Sequence, residues 1–173
     1  MLFEIVIVVC VAFAGAGVVV LPAKLMRRKT PKTLALVAAG LAMFAYVQWD
    51  RYTWAERYAA NLPEGSTVVA SYPYDGIAEP WALVVPRADR LLVVDRGTAL
   101  TNPAYPHISL VTTLLVERNQ ETLALRQFVD CVQRRRAPVT GEVEFTEAGL
   151  PRADAWVANG APKALYDAVC GAR

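Results

Sequence analysis

Residues that do chemistry are scarce in this sequence. Among 173 residues there is one histidine, His107, and three cysteines, Cys10, Cys131 and Cys170. No second histidine is present to complete a metal cluster, so such a site would need carboxylates alone or a distant cysteine. Gly-x-Ser-x-Gly, a glycine-rich phosphate loop and Cys-x-x-Cys are all missing. Lysine is nearly absent beyond Trp49: that stretch holds 13 basic and 15 acidic residues, and every basic one except Lys163 is arginine. It is close to neutral, which excludes the clustered positive charge that nucleic-acid binding requires. The expectation is a protein with no catalytic activity, no cofactor, no metal and no nucleic-acid partner.

Charge is missing altogether from two N-terminal runs, 5–23 and 33–49. At 1.5 Å per residue they span roughly 28 and 25 Å, close to the roughly 30 Å hydrocarbon core of a bilayer. Phe44, Tyr46, Trp49, Tyr52 and Trp54 extend the second run with side chains that favour the membrane interface. Neither run has the polar stripe of a helix covering a soluble core. Two transmembrane helices are therefore predicted, with Pro22 closing the first and Pro31 opening the second. Met-Leu-Phe-Glu precedes the first run where a cleaved signal would carry basic residues, so that helix is expected to be retained. Cys10 follows Val9 rather than a small residue and reads as a membrane-buried thiol, not a lipidation site.

The loop 24–32 carries Lys24, Arg27, Arg28, Lys29 and Lys32 and no acid. Short loops rich in Lys and Arg stay in the cytoplasm, which places both termini and everything beyond the second helix in the periplasm of a bacterial inner membrane. Small residues recur in both helices, with Ala12, Ala14, Gly15, Ala16 and Gly17 in the first and Ala35, Ala38, Ala39, Gly40 and Ala42 in the second. In lipid such side chains let helix backbones approach. Gly15, Gly17, Ala35, Ala39 and Gly40 are the candidate packing positions, on more than one face of the hairpin.

Beyond the membrane, 50–62 continues the second helix as a stalk, with Trp54, Tyr58 and Leu62 at helical spacing until Pro63-Glu64-Gly65 ends it. Valine-rich runs bounded by turn residues follow and read as strands at 67–72, 82–85, 91–95 and 108–118. The loop 86–90 would join the second to the third, and Asn119-Gln120-Glu121 would turn the fourth. The segment 123–136 fits a helix, through Leu125, Phe128, Val129 and Val132, and equally a strand with Leu123, Leu125, Val129 and Cys131 on one side, interrupted by Gln127. A further strand is expected at 142–146 and a terminal helix at 162–169. On the oxidising side of a membrane, Cys131 and Cys170 are expected to form one disulfide, two separate buried thiols being the alternative. The fold class is membrane-anchored α+β: a two-helix transmembrane hairpin (1–49), a stalk (50–62) and a small antiparallel-sheet domain (63–173) with a C-terminal helix and one disulfide.

The run Phe128-Val129-Asp130-Cys131-Val132-Gln133-Arg134-Arg135-Arg136, followed by Trp156, Gly160-Ala161-Pro162 and Leu165-Tyr166-Asp167-Ala168-Val169-Cys170, resembles the disulfide-bonded, sheet-rich domain of surface-adhesin protein E and related bacterial exported proteins. The resemblance covers roughly the last 65 residues and a short motif. It implies a strand for 123–136 and the Cys131 to Cys170 bond. That family is typically exported by a lipoprotein or cleaved signal rather than held by two helices, so adhesion to host proteins is not carried over.

Candidate interaction residues are the loop aromatics Tyr72, Tyr74 and Trp81, a type enriched at interface hot spots, and the cations Arg134, Arg135 and Arg136, suited to phosphates or acids. Loop aromatics also fold onto their own core, and an arginine cluster is commonly a solvated strand end. Glu142 and Glu144 would share one strand face, an arrangement open to acid-base work but ordinary on a solvated surface. The function expected is an accessory, assembly or stabilising subunit of a larger inner-membrane complex, partnered by integral membrane subunits and lipid; the alternative is a free-standing membrane-anchored periplasmic binding or adhesion module.

Overall fold

The computed structural model describes residues 2–27, 32–118, 120–141, 144–158 and 160–171. The chain divides into two compact units, Met1–Trp54 and Ala55–Arg173.

In the first unit, α1 (Leu2–Leu25) and α2 (Lys32–Ala60) are each long and apolar enough to cross a bilayer, and their apolar stretches are not buried. Phe3, Phe13 and Leu21 on α1 and Leu36, Leu41 and Phe44 on α2 all stand outward. A helix serving a soluble core turns such residues inward. Pro22 does not close α1. Proline so near the end removes only the N–H that would reach Val18, and the Met26 N–H donates to the Pro22 carbonyl at 2.9 Å, completing another turn. Lys24 and Arg27 follow on that turn and Lys32 opens α2, while Arg28, Lys29 and Pro31 lie outside the described residues. The helices meet at Gly15. A Cβ there would lie 2.5 Å from the Ala42 Cβ and 2.9 Å from the Ala38 carbonyl oxygen, so the approach requires glycine. Gly17 would meet only Leu21 of its own helix, and Gly40 has nothing within 4 Å.

The stalk is part of α2, which stops at Ala60; Gly65, at φ +90°, then turns the chain into the sheet. Five strands, β1 (Ser66–Pro73), β2 (Ala88–Thr101), β3 (Ile108–Glu117), β4 (Leu123–Asp130) and β5 (Arg135–Pro138), pair antiparallel in chain order. The short helix α3 (Lys163–Cys170) lies on one face of this meander. There Val69, Val94, Leu165 and Ala168 form one buried cluster, and Val111, Val129 and Tyr166 another. Alternation along the strands puts Leu91, Val93, Ile108 and Val116 on the opposite face, also buried. The edge strand β5 is covered by Val157, which exchanges backbone hydrogen bonds with Arg136 at 2.7 and 3.0 Å.

Several elements differ from the sequence reading. The segment 123–136 is two strands, β4 and β5, joined by a turn at 131–134. Gln127 does not interrupt the buried side of β4 but belongs to it. It is 3% exposed, its Nε2 donates to Thr113 Oγ1 at 3.2 Å, and the Thr113 hydroxyl donates to the Leu125 carbonyl at 3.0 Å. Leu123 and Leu125, assigned to the same side, are exposed. The expected strand at 82–85 is a helical turn instead: Pro80–Leu83 is a 3-10 helix, with the Val84 and Val85 N–H groups on the Trp81 carbonyl. Prolines at 80 and 86 leave too short a run for a sheet, and Pro80 suits a first helical turn. The 86–90 loop is correspondingly shorter, because β2 begins at Ala88. β2 also outlasts Asp95. The Gly97 N–H bonds to Asp95 Oδ1 at 2.9 Å in an irregularity, after which pairing resumes at Leu100 with Leu110. Of the segment 142–146, Glu142 lies outside the described residues, as does Asn119 of the β3–β4 turn. Phe145 makes an isolated bridge to Pro151 rather than a strand.

Candidate functional site

Two constructions in the second unit, Ala55–Arg173, are more specific than a sheet requires. The first is the turn between β4 and β5. Asp130 ends β4 with only 1% exposure. Its Oδ1 accepts the N–H groups of Val132 at 3.0 Å and Gln133 at 3.1 Å, while Oδ2 accepts Arg135 Nε at 3.1 Å. Aspartate favours such turns because its side chain satisfies donors two and three residues on. Burial pushes the Asp130 carboxyl up, but the hydrogen bonds from Gln133 and Val132 and the Arg135 guanidinium outweigh it and hold the carboxyl below its ordinary value. Cys131 sits within this turn, its N–H bonded to the His107 carbonyl at 2.9 Å and its sulfur bonded to Cys170 at the end of α3. Arg135 also lies 4.5 Å from the centre of the Trp156 ring, whose Nε1 donates to the Pro151 carbonyl at 3.2 Å.

The three arginines divide two and one. Arg134 is exposed, at φ +49°, with Nη2 3.9 Å from Asp167 Oδ1. Arg135 is held between Asp130 and Trp156, and Arg136 reaches Gln127 Oε1 at 3.4 Å. Alternation across the strand leaves Arg134 and Arg136 both bearing electrostatically on Tyr166 of α3, while Arg135 is turned to the other side. His107 contributes its carbonyl to the turn and its ring stands edge-on to Tyr105, with centroids 6.5 Å apart. Glu144 makes an exposed ion pair with Arg152. Such a pair contributes less than about 1 kcal/mol; Arg152→Ala is expected to leave the unfolding midpoint within the error of a denaturant titration.

The second construction is the loop between β1 and β2. Glu79 and Arg87 form a buried two-point ion pair, Nε to Oε2 at 3.0 Å and Nη2 to Oε1 at 3.3 Å. The Arg87 guanidinium lies 4.2 Å from the Tyr74 ring centre and reaches Asp89 Oδ1 at 3.3 Å. The Tyr74 N–H bonds to the Arg87 carbonyl at 2.9 Å. A side chain on Gly76 would collide with Tyr74. Tyr74 is therefore part of the loop's internal packing, while Tyr72 and Trp81 remain partly exposed.

Sequence reasoning missed Glu79, Arg87, Gln127 and Asp130 as partners, and missed the outward aliphatics Ile77, Leu83, Val84 and Val85. A Glu and an Arg bracketing two prolines was the available signal for the ion pair. Among the described residues no group of three or more His, Cys, Asp or Glu is placed to hold a metal ion. An apolar groove of about 220 Å³ opens between Leu100, Tyr105, Ile108, Phe128 and Leu150. A larger hollow of about 430 Å³ is lined by Tyr72, Pro73, Asp75, Arg90 and Leu115, within the usual volume range of small-molecule sites. The architecture defines a class, an apolar helix pair followed by a disulfide-stapled antiparallel meander. No protein-family model, curated protein or solved structure matches the chain.

Proposed function

We propose that this chain is a non-catalytic accessory, assembly or stabilising subunit of a larger bacterial inner-membrane complex. In this reading α1 and α2 cross the membrane, both termini face the periplasm, and the outer unit rests on a partner's periplasmic face. The observation that carries it is the division of labour among the helix glycines. Gly15 is consumed by the contact with Ala38 and Ala42, whereas Gly40 opens on nothing within 4 Å. A glycine on a lipid-facing helix surface costs helix stability for no internal contact, and a neighbouring helix restores the benefit. The buried polar groups of the outer unit support the same conclusion, since Asp130, Arg87, Glu79 and Gln127 are engaged in holding turns and strands together.

The test is purification of the tagged full chain in mild detergent, with co-purifying membrane proteins identified. Gly40→Leu is expected to lower partner recovery roughly tenfold, the equivalent of about 1.4 kcal/mol at one helix contact. Gly15→Leu should instead separate α1 from α2. A chain that migrates only as a monomer, or an unchanged recovery for Gly40→Leu, would overturn the proposal. Function retained with the helices exchanged for an unrelated anchor would favour the free-standing binding or adhesion module.

A further inference from the structure

Tyr166 carries a polar atom that the fold buries and leaves unused. Its ring packs with Val111 and Val129 between α3 and the sheet, and the residue is 6% exposed. The hydroxyl is enclosed, yet it has no hydrogen-bond partner among the described residues. An enclosed hydroxyl left unpaired costs its desolvation, and phenylalanine would fill the same ring space without that cost. Burial pushes the Tyr166 phenol up and outweighs the lowering by Arg136 and Arg134, so the group stays protonated and able to donate at neutral pH. Arg136 is likewise underused. Its Nε is buried with no hydrogen-bond partner among the described residues, and its Nη1 meets only the neutral Gln127 side chain, at 3.4 Å. Arg134 comes to the same side through the turn 131–134, at φ +49°, a conformation that glycine or asparagine adopts more readily than arginine. Its Nη2 stands 3.9 Å from Asp167 Oδ1, and both side chains are more than half exposed, so the contact holds it weakly.

We propose that the hollow lined by Tyr166, Arg134, Asp167 and the Cys131–Cys170 bond binds a small, singly charged oxyanion of the carboxylate class. The proposal concerns the second unit alone and is independent of how the helices are placed. The hollow holds about 260 Å³, short of the roughly 300 Å³ at which drug-sized sites begin, so it takes an acidic group and a few atoms beside it. Tyr166 supplies a hydroxyl donor to one oxygen. Arg134, turning from Asp167, supplies the planar fork that matches a carboxylate, and Arg136 adds charge from the floor of the sheet. All three offer donors, which selects an acceptor. The two guanidinium groups against the one Asp167 carboxylate leave an excess of one positive charge, which a carboxylate neutralises; a dianion would carry a surplus charge beside Asp167. The disulfide joins the turn that carries Arg134 to the helix that carries Tyr166, so these donors are held together before a ligand arrives.

The test titrates acetate into the full chain in a bilayer disc, with sulfate as the dianion and chloride holding the ionic strength constant. Tyrosine labelled with carbon-13 at Cζ reports on the hydroxyl, and of the seven tyrosine signals the one that Tyr166→Phe removes belongs to Tyr166. The expected result is a saturable shift of that signal by acetate, tighter than any response to sulfate. Arg134→Gln and Arg136→Gln should each weaken acetate binding about tenfold. Arg134→Lys should recover part of the loss, and Arg152→Gln, elsewhere on the surface, should change nothing. Tyr166→Phe, followed through the α3 amides, should weaken acetate about tenfold as well. Without acetate the same variant should unfold at a higher urea concentration, because it removes an unpaired buried hydroxyl. A Tyr166 signal that acetate does not move would overturn the proposal, and so would sulfate binding tighter than acetate. Equal acetate affinity in both arginine variants would overturn it too. A lower urea midpoint for Tyr166→Phe would show the hydroxyl already engaged by the fold, with the same consequence.

Discussion

Replacing Cys131 and Cys170 together by serine is expected to cost the outer unit about 4 kcal/mol, the loop-closure entropy that a 39-residue crosslink removes from the unfolded chain. The loss should concentrate in α3. Eight residues are too few for a helix to persist without packing, and α3 is held through Leu165, Tyr166 and Ala168 on the sheet together with the Cys170 sulfur. Amide exchange measured on the full chain in a bilayer disc should therefore rise by about a thousandfold in 163–170, before the central pair of strands β2 and β3 opens. Unchanged exchange in α3, with an unchanged urea midpoint, would show that packing alone suffices. After denaturing solubilisation, maleimide should label only Cys10 until a reductant is added, because the other two thiols are consumed. That bond also bears on topology, since disulfides persist on the oxidising side of a membrane.

What could be read from the sequence follows the length scale of each signal. The two apolar helices and the strands expected at 67–72 and 108–118 rest on runs of many residues and emerge close to their expected bounds, while the strand at 91–95 extends to Ala88–Thr101. The terminal helix is legible from Pro162 near its first turn. Errors fall where a run is short and its partner distant. The four residues 82–85 carry a β-like composition, yet prolines on both sides and the Glu79–Arg87 clamp fold them into a helical turn. Gln127 looked like a break because the polar partner that buries it, Thr113, lies fourteen residues away on the neighbouring strand. The arginine triplet looked like one feature because sequence adjacency conceals alternation across a strand. The same limit applied to the candidate site. Exposed aromatics were visible as residue types, whereas the outward aliphatics Ile77, Leu83, Val84 and Val85 become visible only once Glu79 is seen to face inward.

The second large effect is expected at Asp130. Asp130→Ala should destabilise the outer unit by about 3 kcal/mol, because it strips the acceptor from two turn N–H groups and leaves the partly buried Arg135 guanidinium without its carboxylate. Asp130→Asn keeps the side-chain volume and one acceptor, so it isolates the charge and should cost about half as much. The pH dependence has a fixed sign. Burial raises the folded carboxyl and the hydrogen bonds with Arg135 lower it further, so the folded value lies below the unfolded one. The stabilisation is then fully present above the unfolded value of about 3.9, and it is lost as the pH falls through the folded value. Urea midpoints of wild type and Asp130→Asn should differ by a constant amount from neutrality to about pH 5, then converge in stronger acid. A gap that persists unchanged at low pH, or none at neutrality, would refute the assignment. Asp130 and Cys131 also act on the same turn, so their losses should not add. Once the disulfide is gone, removing the carboxylate should cost less than it does in the intact protein, because the turn it orders no longer positions the end of α3.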